Sequence, residues 1–154
     1  MLIGGDDGVA VRLRPLRWQF PADAGAWDDR WLVIGGAVEI RDQAWSFTDP
    51  CLLIEEAHEL ADWLRTAAAG RGEPSLSFME PALGFAIAGR SDTEVVLRVR
   101  FTAEAAPPWL RADNPHSAQC TAELRLRPAQ LLAAATAWSR ELEALPSRSF
   151  ADRG

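Results

Sequence analysis

The chain of 154 residues suits one domain of ordinary size, able to bury roughly two-thirds of its unfolded surface on folding. Its 48% hydrophobic and 25% charged content is that of a globular protein and excludes a disordered chain. A formal net charge of −6 argues against nonspecific binding to nucleic acid or anionic membranes, which need basic surface, and leaves a basic partner as the complementary one.

In chain order, "VAVRLRPLRWQF" (9–20) alternates apolar and charged residues, the period of a half-buried strand, with Pro15 marking an edge or a bulge. "DAGAWDD" (23–29) reads as a loop. "RWLVIGGAVEI" (30–40) starts as a nearly continuous apolar strand, and Gly35-Gly36 suggest a bulge or tight bend. "QAWSF" (43–47) is a short strand. A helix is expected from "DPCLLIEEAHELADWLRTAAAG", with Asp49 as N-cap, Pro50 at the first helical position and Gly70 as the left-handed stop. Its apolar stripe is Leu53, Ala57, Leu60, Leu64 and Ala67.

Strands follow at 75–79, 83–88 and 93–104, the last two joined by the turn "GRSD". "AAPPWLRADNPHS" (105–117) is a long loop, "AQCTAELRLR" (118–127) another alternating strand, and Pro128 opens a final helix striped by Leu131, Ala135, Trp138, Leu142 and Leu145. The order is βββ–α–ββββ–α. Short turns imply antiparallel pairing, and each helix must lay its stripe on the sheet or on the other helix. The expected fold is a single α+β domain over residues 1–146, a curved antiparallel sheet of about seven strands with two amphipathic helices, followed by a flexible tail at 147–154.

Two heptads match: "SFTDPCL" (46–52) and "SFMEPAL" (77–83). An acid before proline accepts backbone N–H bonds and favours an extended residue before a turn, so one structural device used twice accounts for both. The rival reading makes Asp49 and Glu80 paired catalytic carboxylates, with no other catalytic group near in sequence. The helix segment "EEAHELAD" sets Glu55, His58, Glu59 and Asp62 along one surface. Zinc-protease helices carry H-E-x-x-H and di-iron bundles pair two E-x-x-H motifs; here the second His is missing, and a solvated acidic face is the simpler account. His116, Cys120 and Cys51 lack the short paired spacings of a zinc site. Cys51, just inside the expected helix N-terminus, could have a depressed pKa, but a small buried thiol is the simpler reading. Two cysteines suggest free thiols rather than a disulfide scaffold. No phosphate loop, nucleophile elbow or dinucleotide fingerprint occurs, so no catalytic residue, metal or cofactor is expected.

All sixteen basic residues are arginine, and with no Lys or Tyr and a single Asn this points to a GC-rich bacterial gene. Arg12 and Arg14, Arg98 and Arg100, and Arg125 and Arg127 alternate on three strands; Glu94, Glu104 and Glu123 share their parity. An anion or RNA platform would want aromatic residues of that parity for stacking, which these strands lack, so a salt-bridged solvent face is the plainer reading. Of seven tryptophans, Trp27 and Trp109 sit in polar loops, where large, cheaply ordered side chains make binding anchors. No basic-then-apolar leader opens the chain and no apolar run approaches a membrane span, so a cytoplasmic protein is expected.

Taken together, "DDRWLVIGGAVEI", "WSFTDPCLLIEEAHELADWL", "LSFMEPALGF", "LRVRF", "PPWL" and "LRPAQLLAAA" resemble a group of small bacterial proteins, some labelled immunity proteins of the wall-associated-protein (WapI) toxin type. The resemblance spans residues 9–146 and brings no catalytic residues. Arg127 departs from it, since members place a small polar helix cap there. It implies a non-enzymatic cytoplasmic protein that binds a toxin domain and blocks it. An acidic inhibitor suits a basic toxin domain, with electrostatics speeding encounter. The candidate partner-binding residues are then Asp28, Asp29, Glu55, Glu56, Glu59 and Asp62, with Trp109 as aromatic anchor. Two alternatives stand beside it: a metal-dependent hydrolase using the Glu55, His58, Glu59 and Asp62 face, and a structural or regulatory domain that self-associates through a sheet edge.

Overall fold

A computed structural model of the chain describes residues 1–4, 7–22, 25 and 27–148. The strands are β1 (Leu2–Gly4), β2 (Val9–Trp18), β3 (Trp31–Ile40), β4 (Gln43–Leu53), β5 (Ser75–Ser77), β6 (Leu83–Arg90), β7 (Val95–Thr102) and β8 (Gln119–Leu126). The α-helices are α1 (Ile54–Ala68), the short α2 (Pro108–Asp113) and α3 (Pro128–Glu143). Single 3-10 turns occupy Asp28–Arg30 and Ala103–Ala105.

The α+β architecture with antiparallel strands is as the sequence predicts, while the finer arrangement differs. The strands form two four-stranded antiparallel meanders, β1-β2-β3-β4 and β5-β6-β7-β8, rather than one sheet. An additional strand, β1, pairs with the start of β2, and the proline-rich loop contains α2. Helices α1 and α3 pack on each other, with the Trp138 indole N–H donating to the Ala57 carbonyl at 2.7 Å. Their stripes lie over the inner faces of both sheets. Val11, Leu13, Ile34 and Leu52 of the first, Leu97, Val99, Phe101 and Leu124 of the second, and Leu60, Leu64, Leu131 and Trp138 of the helices belong to one buried cluster. Period-2 alternation put the β2, β7 and β8 residues of this set inside and their arginine neighbours outside, whereas Ile34 and Leu52 lie in consecutively buried runs.

The first helix starts four residues later than expected, at Ile54 rather than Pro50. Asp49 to Leu53 continue β4, where Leu52 pairs with Leu32 and Leu53 with Trp31. Burying Cys51, Leu52 and Leu53 on a sheet ladder outweighs the local preference of Asp-Pro to open a helix. Pro50 is tolerated because β4 is a sheet edge and the register shifts between Leu32 and Ile34 opposite it. Pro15 likewise meets a register shift, between Pro15 and Arg17, at a point where β2 has run past β1. Gly36 is needed for a close approach: a Cβ there would lie 2.2 Å from the Phe47 ring. Gly70, at φ 78°, closes α1 as predicted, with Arg71 N–H bonding to the Thr66 carbonyl and Gly70 N–H to the Ala67 carbonyl. Arg127 supplies no side-chain cap to α3; instead the Gln130 side chain accepts from Arg127 N–H and donates to the Gly4 carbonyl. Arg148 is held by the Asp29 and Phe20 carbonyls and lies over the Trp18 ring; the rest of the expected tail, 149–154, lies outside the described residues.

Candidate functional site

Cross-strand pairing of Trp31 with Leu53 sets the Asp28–Arg30 turn beside the first turn of α1. There Arg30 forms an ion pair with Glu55, and Arg148 bonds to the Asp29 carbonyl. Asp28, Asp29 and Glu55 are therefore brought to one end of the molecule. Glu59 and Asp62 continue along the exposed side of α1, where Asp62 meets Arg65 at 3.1 Å.

Glu56 has another occupation. One carboxylate oxygen accepts from Leu53 N–H at 3.0 Å, capping α1, and the other accepts from Met79 N–H at 2.7 Å, tying the turn after β5 to the helix. These bonds make it a structural carboxylate. Because α1 begins at Ile54, the residue three positions after its N-cap is Glu56, a pairing that only the corrected helix start reveals.

Trp109 is placed by a different part of the fold. It lies on α2 and is 40% exposed, its ring standing edge-on to Trp45 at 5.9 Å. Trp45 is eight extended residues from Leu53 along β4, roughly 25 Å. Trp109 thus sits at the opposite end of β4 from the acidic group. The aromatic residue beside the acids is Trp27, 67% exposed and immediately before Asp28. Met79, 63% exposed and hydrogen-bonded to Glu56, adds a second apolar group that sequence reasoning overlooked. Its signal was its place in the second heptad: with Phe78 packing edge-on to Phe85, the next side chain is turned outward.

The two heptads do approach each other. Asp49 is held above the ordinary carboxylate range, first by burial and then by the charges of Glu104 and Glu80. Cys51, expected in a helix N-terminus, is instead buried in β4, and burial, with Asp49 nearby, raises its thiol pKa far above normal. A thiol in that state is protonated and not a nucleophile. Phe47 and Phe78 of the two copies pack on Phe101 and Phe85. The shared pattern thus serves packing and turn formation.

Glu55, His58, Glu59 and Asp62 do not converge. Glu55 turns to Arg30 and Asp62 to Arg65, while His58 and Glu59 are exposed. Among the described residues, no group of three or more His, Cys, Asp and Glu has the arrangement to hold a metal ion. The arginine lattice is divided. Arg12 and Arg14 lie on the outer face of the first sheet, and Arg98, Arg100 and Arg125 on that of the second. Arg98 pairs with Glu123 at 2.8 Å and Arg125 with Glu94 at 3.8 Å, as cross-strand parity predicts. Among the described residues no helix is long and apolar enough to cross a membrane.

No curated protein and no solved structure matches the chain. A family model described as the immunity protein WapI-like family matches residues 1–146, extending the resemblance to nearly the whole chain, and the chain belongs to that family.

Proposed function

We propose that this protein is a cytoplasmic, non-enzymatic immunity protein that neutralises one bacterial toxin domain by binding it tightly. Family membership over residues 1–146 is the observation that carries the reading. The surface supports it. Asp28, Asp29, Glu55 and Glu59 lie about the start of α1, with Trp27 exposed immediately before Asp28 and Met79 exposed and bonded through its N–H to Glu56. Apolar anchors within a charged rim are what a specific protein interface uses, and the acidic sign suits a basic toxin surface. Neither the divided α1 carboxylates nor the protonated Cys51 thiol offers a reacting group.

The test is co-expression with the toxin domain encoded beside the gene in its genome. Protected growth, and a stable complex by calorimetry with nanomolar affinity, are the expected results. Unprotected cells despite well-folded protein would overturn the reading. The double variant W27A/D29K should weaken the complex at least tenfold, mainly through faster dissociation.

A further inference from the structure

The outer face of the second sheet has a chemistry opposite to that of the acidic end. Together with the β3–β4 hairpin it encloses an open groove of about 1270 Å³. On β5 and β6 the outward-facing side chains of its floor are no larger than a hydroxymethyl group, Ser75, Ser77, Gly84 and Ala86, while Leu76 and Phe85 between them belong to the core. On β7 and β8 it carries Arg98, Arg100 and Arg125, and the hairpin adds Arg41. We propose that this groove is a docking surface for an extended, carboxylate-bearing segment of the protein partner. The inference rests on the immunity reading and adds a second contact to it, with the charge signs reversed.

Three observations favour that occupant. Among the described residues the Arg100 side chain makes no hydrogen bond or ion pair, and its guanidinium lies across Gly84, 3.1 Å from where a Cβ would stand. The missing side chain of Gly84 gives Arg100 its resting place. Arg98 and Arg125 are paired only with exposed carboxylates, and such exposed pairs exchange readily for a partner's carboxylate. The groove is also larger than the 300–1,000 Å³ or so usual for a small-molecule site, and it is open and polar.

A nucleic acid fits less well. Asp7, Asp42 and Glu123 line the same groove, the chain carries a net charge of −6, and the outward positions of β7 and β8 hold no aromatic ring for stacking. Interspersed charges of both signs complement a polypeptide, whereas a continuous polyanion would meet three carboxylates.

The experiment uses the full chain and the toxin domain of its genomic neighbour, with affinity and dissociation rate read by surface plasmon resonance. R98E/R100E should bind about 10–100-fold more weakly, through dissociation. S77W, which fills the floor from an exposed edge strand without changing charge, should weaken binding comparably, so the idea stays testable if the double variant folds poorly. R12E/R14E, on the other sheet, should bind within about twofold of the parent. Unchanged affinity for both groove variants, alongside loss in W27A/D29K, would overturn the groove and leave the immunity reading standing. Failure of the parent to bind at all would overturn both. Binding of a labelled 20-nucleotide RNA, abolished by R98E/R100E, would also overturn the proposal by identifying a different occupant.

Discussion

Glu56 and Glu59 lie three residues apart on α1 and look interchangeable in sequence, yet the structure assigns them different work. Glu56 bridges two backbone donors, Leu53 N–H at 3.0 Å and Met79 N–H at 2.7 Å, whereas Glu59 is exposed and has no partner among the described residues. Replacing Glu56 by Ala removes both bonds. Losing a helix-capping interaction costs about 1 kcal/mol. The Met79 bond is open to water, so its loss adds about half as much, and removing a carboxylate from the first turn adds a few tenths. The total of about 1.5–2 kcal/mol should lower Tm by about 3–8 °C in a domain of this size. E56Q keeps one acceptor oxygen and should fall between parent and E56A. E59A should stay within about 0.5 kcal/mol of the parent. Urea unfolding followed by tryptophan fluorescence measures all three. Equal stabilities for E56A and E59A, or an E56Q no better than E56A, would refute the assignment. On the same reasoning E59K should weaken the toxin complex without loss of stability.

Two other outcomes follow from named contacts. Asp49 titrates above 3.8 in the folded chain because burial, then Glu104 and Glu80, disfavour its ionised form. For a carboxylate raised in this way, its contribution to stability is complete below the unfolded pKa and is lost as pH rises through the folded one. Asp49→Asn should therefore be more stable than the parent at pH 7, with the advantage shrinking toward pH 3.5; thermal melts across that range showing a pH-independent difference would count against it. Gly36→Val places a side chain against the Phe47 ring, 2.2 Å from where its Cβ would stand, and should cost about 1–3 kcal/mol. Adding Phe47→Leu should recover part of that, and a double variant no better than the sum of the single changes would show the clash to lie elsewhere.

How much of this was legible beforehand differs by residue. Alternation in β2, β7 and β8 placed Val11, Leu13, Leu97, Val99 and Leu124 inside and Arg12, Arg98, Arg100 and Arg125 outside before any contact was known. The 3–4 spacing in α1 and α3 placed Leu60, Leu64, Leu131 and Trp138 in the core, and Gly70 marked the end of α1. These are one-dimensional signals, because a side chain's face depends only on the period of its own element. The start of α1 was not such a signal. Asp49-Pro50 is a good local opening for a helix, but pairing of Leu52 and Leu53 with β3 extends the strand to residue 53. That change moved Cys51 from a helix terminus into the core and made Glu56 a cap.

The residues of the candidate surface divide along the same line. That the chain carries an acidic ridge on α1 and arginines on alternate strand positions is a property of its sequence, since local periods sort charges onto faces without help from the rest of the fold. Which of those charges share a neighbourhood depends on distant pairings. Trp31 opposite Leu53 joins Asp28 and Asp29 to Glu55, Trp45 carries Trp109 to the far end of β4, and division into two sheets separates Arg12 and Arg14 from Arg98 and Arg100. Contacts between residues tens of positions apart are chosen by which burial satisfies the whole core at once, and no local pattern encodes that choice.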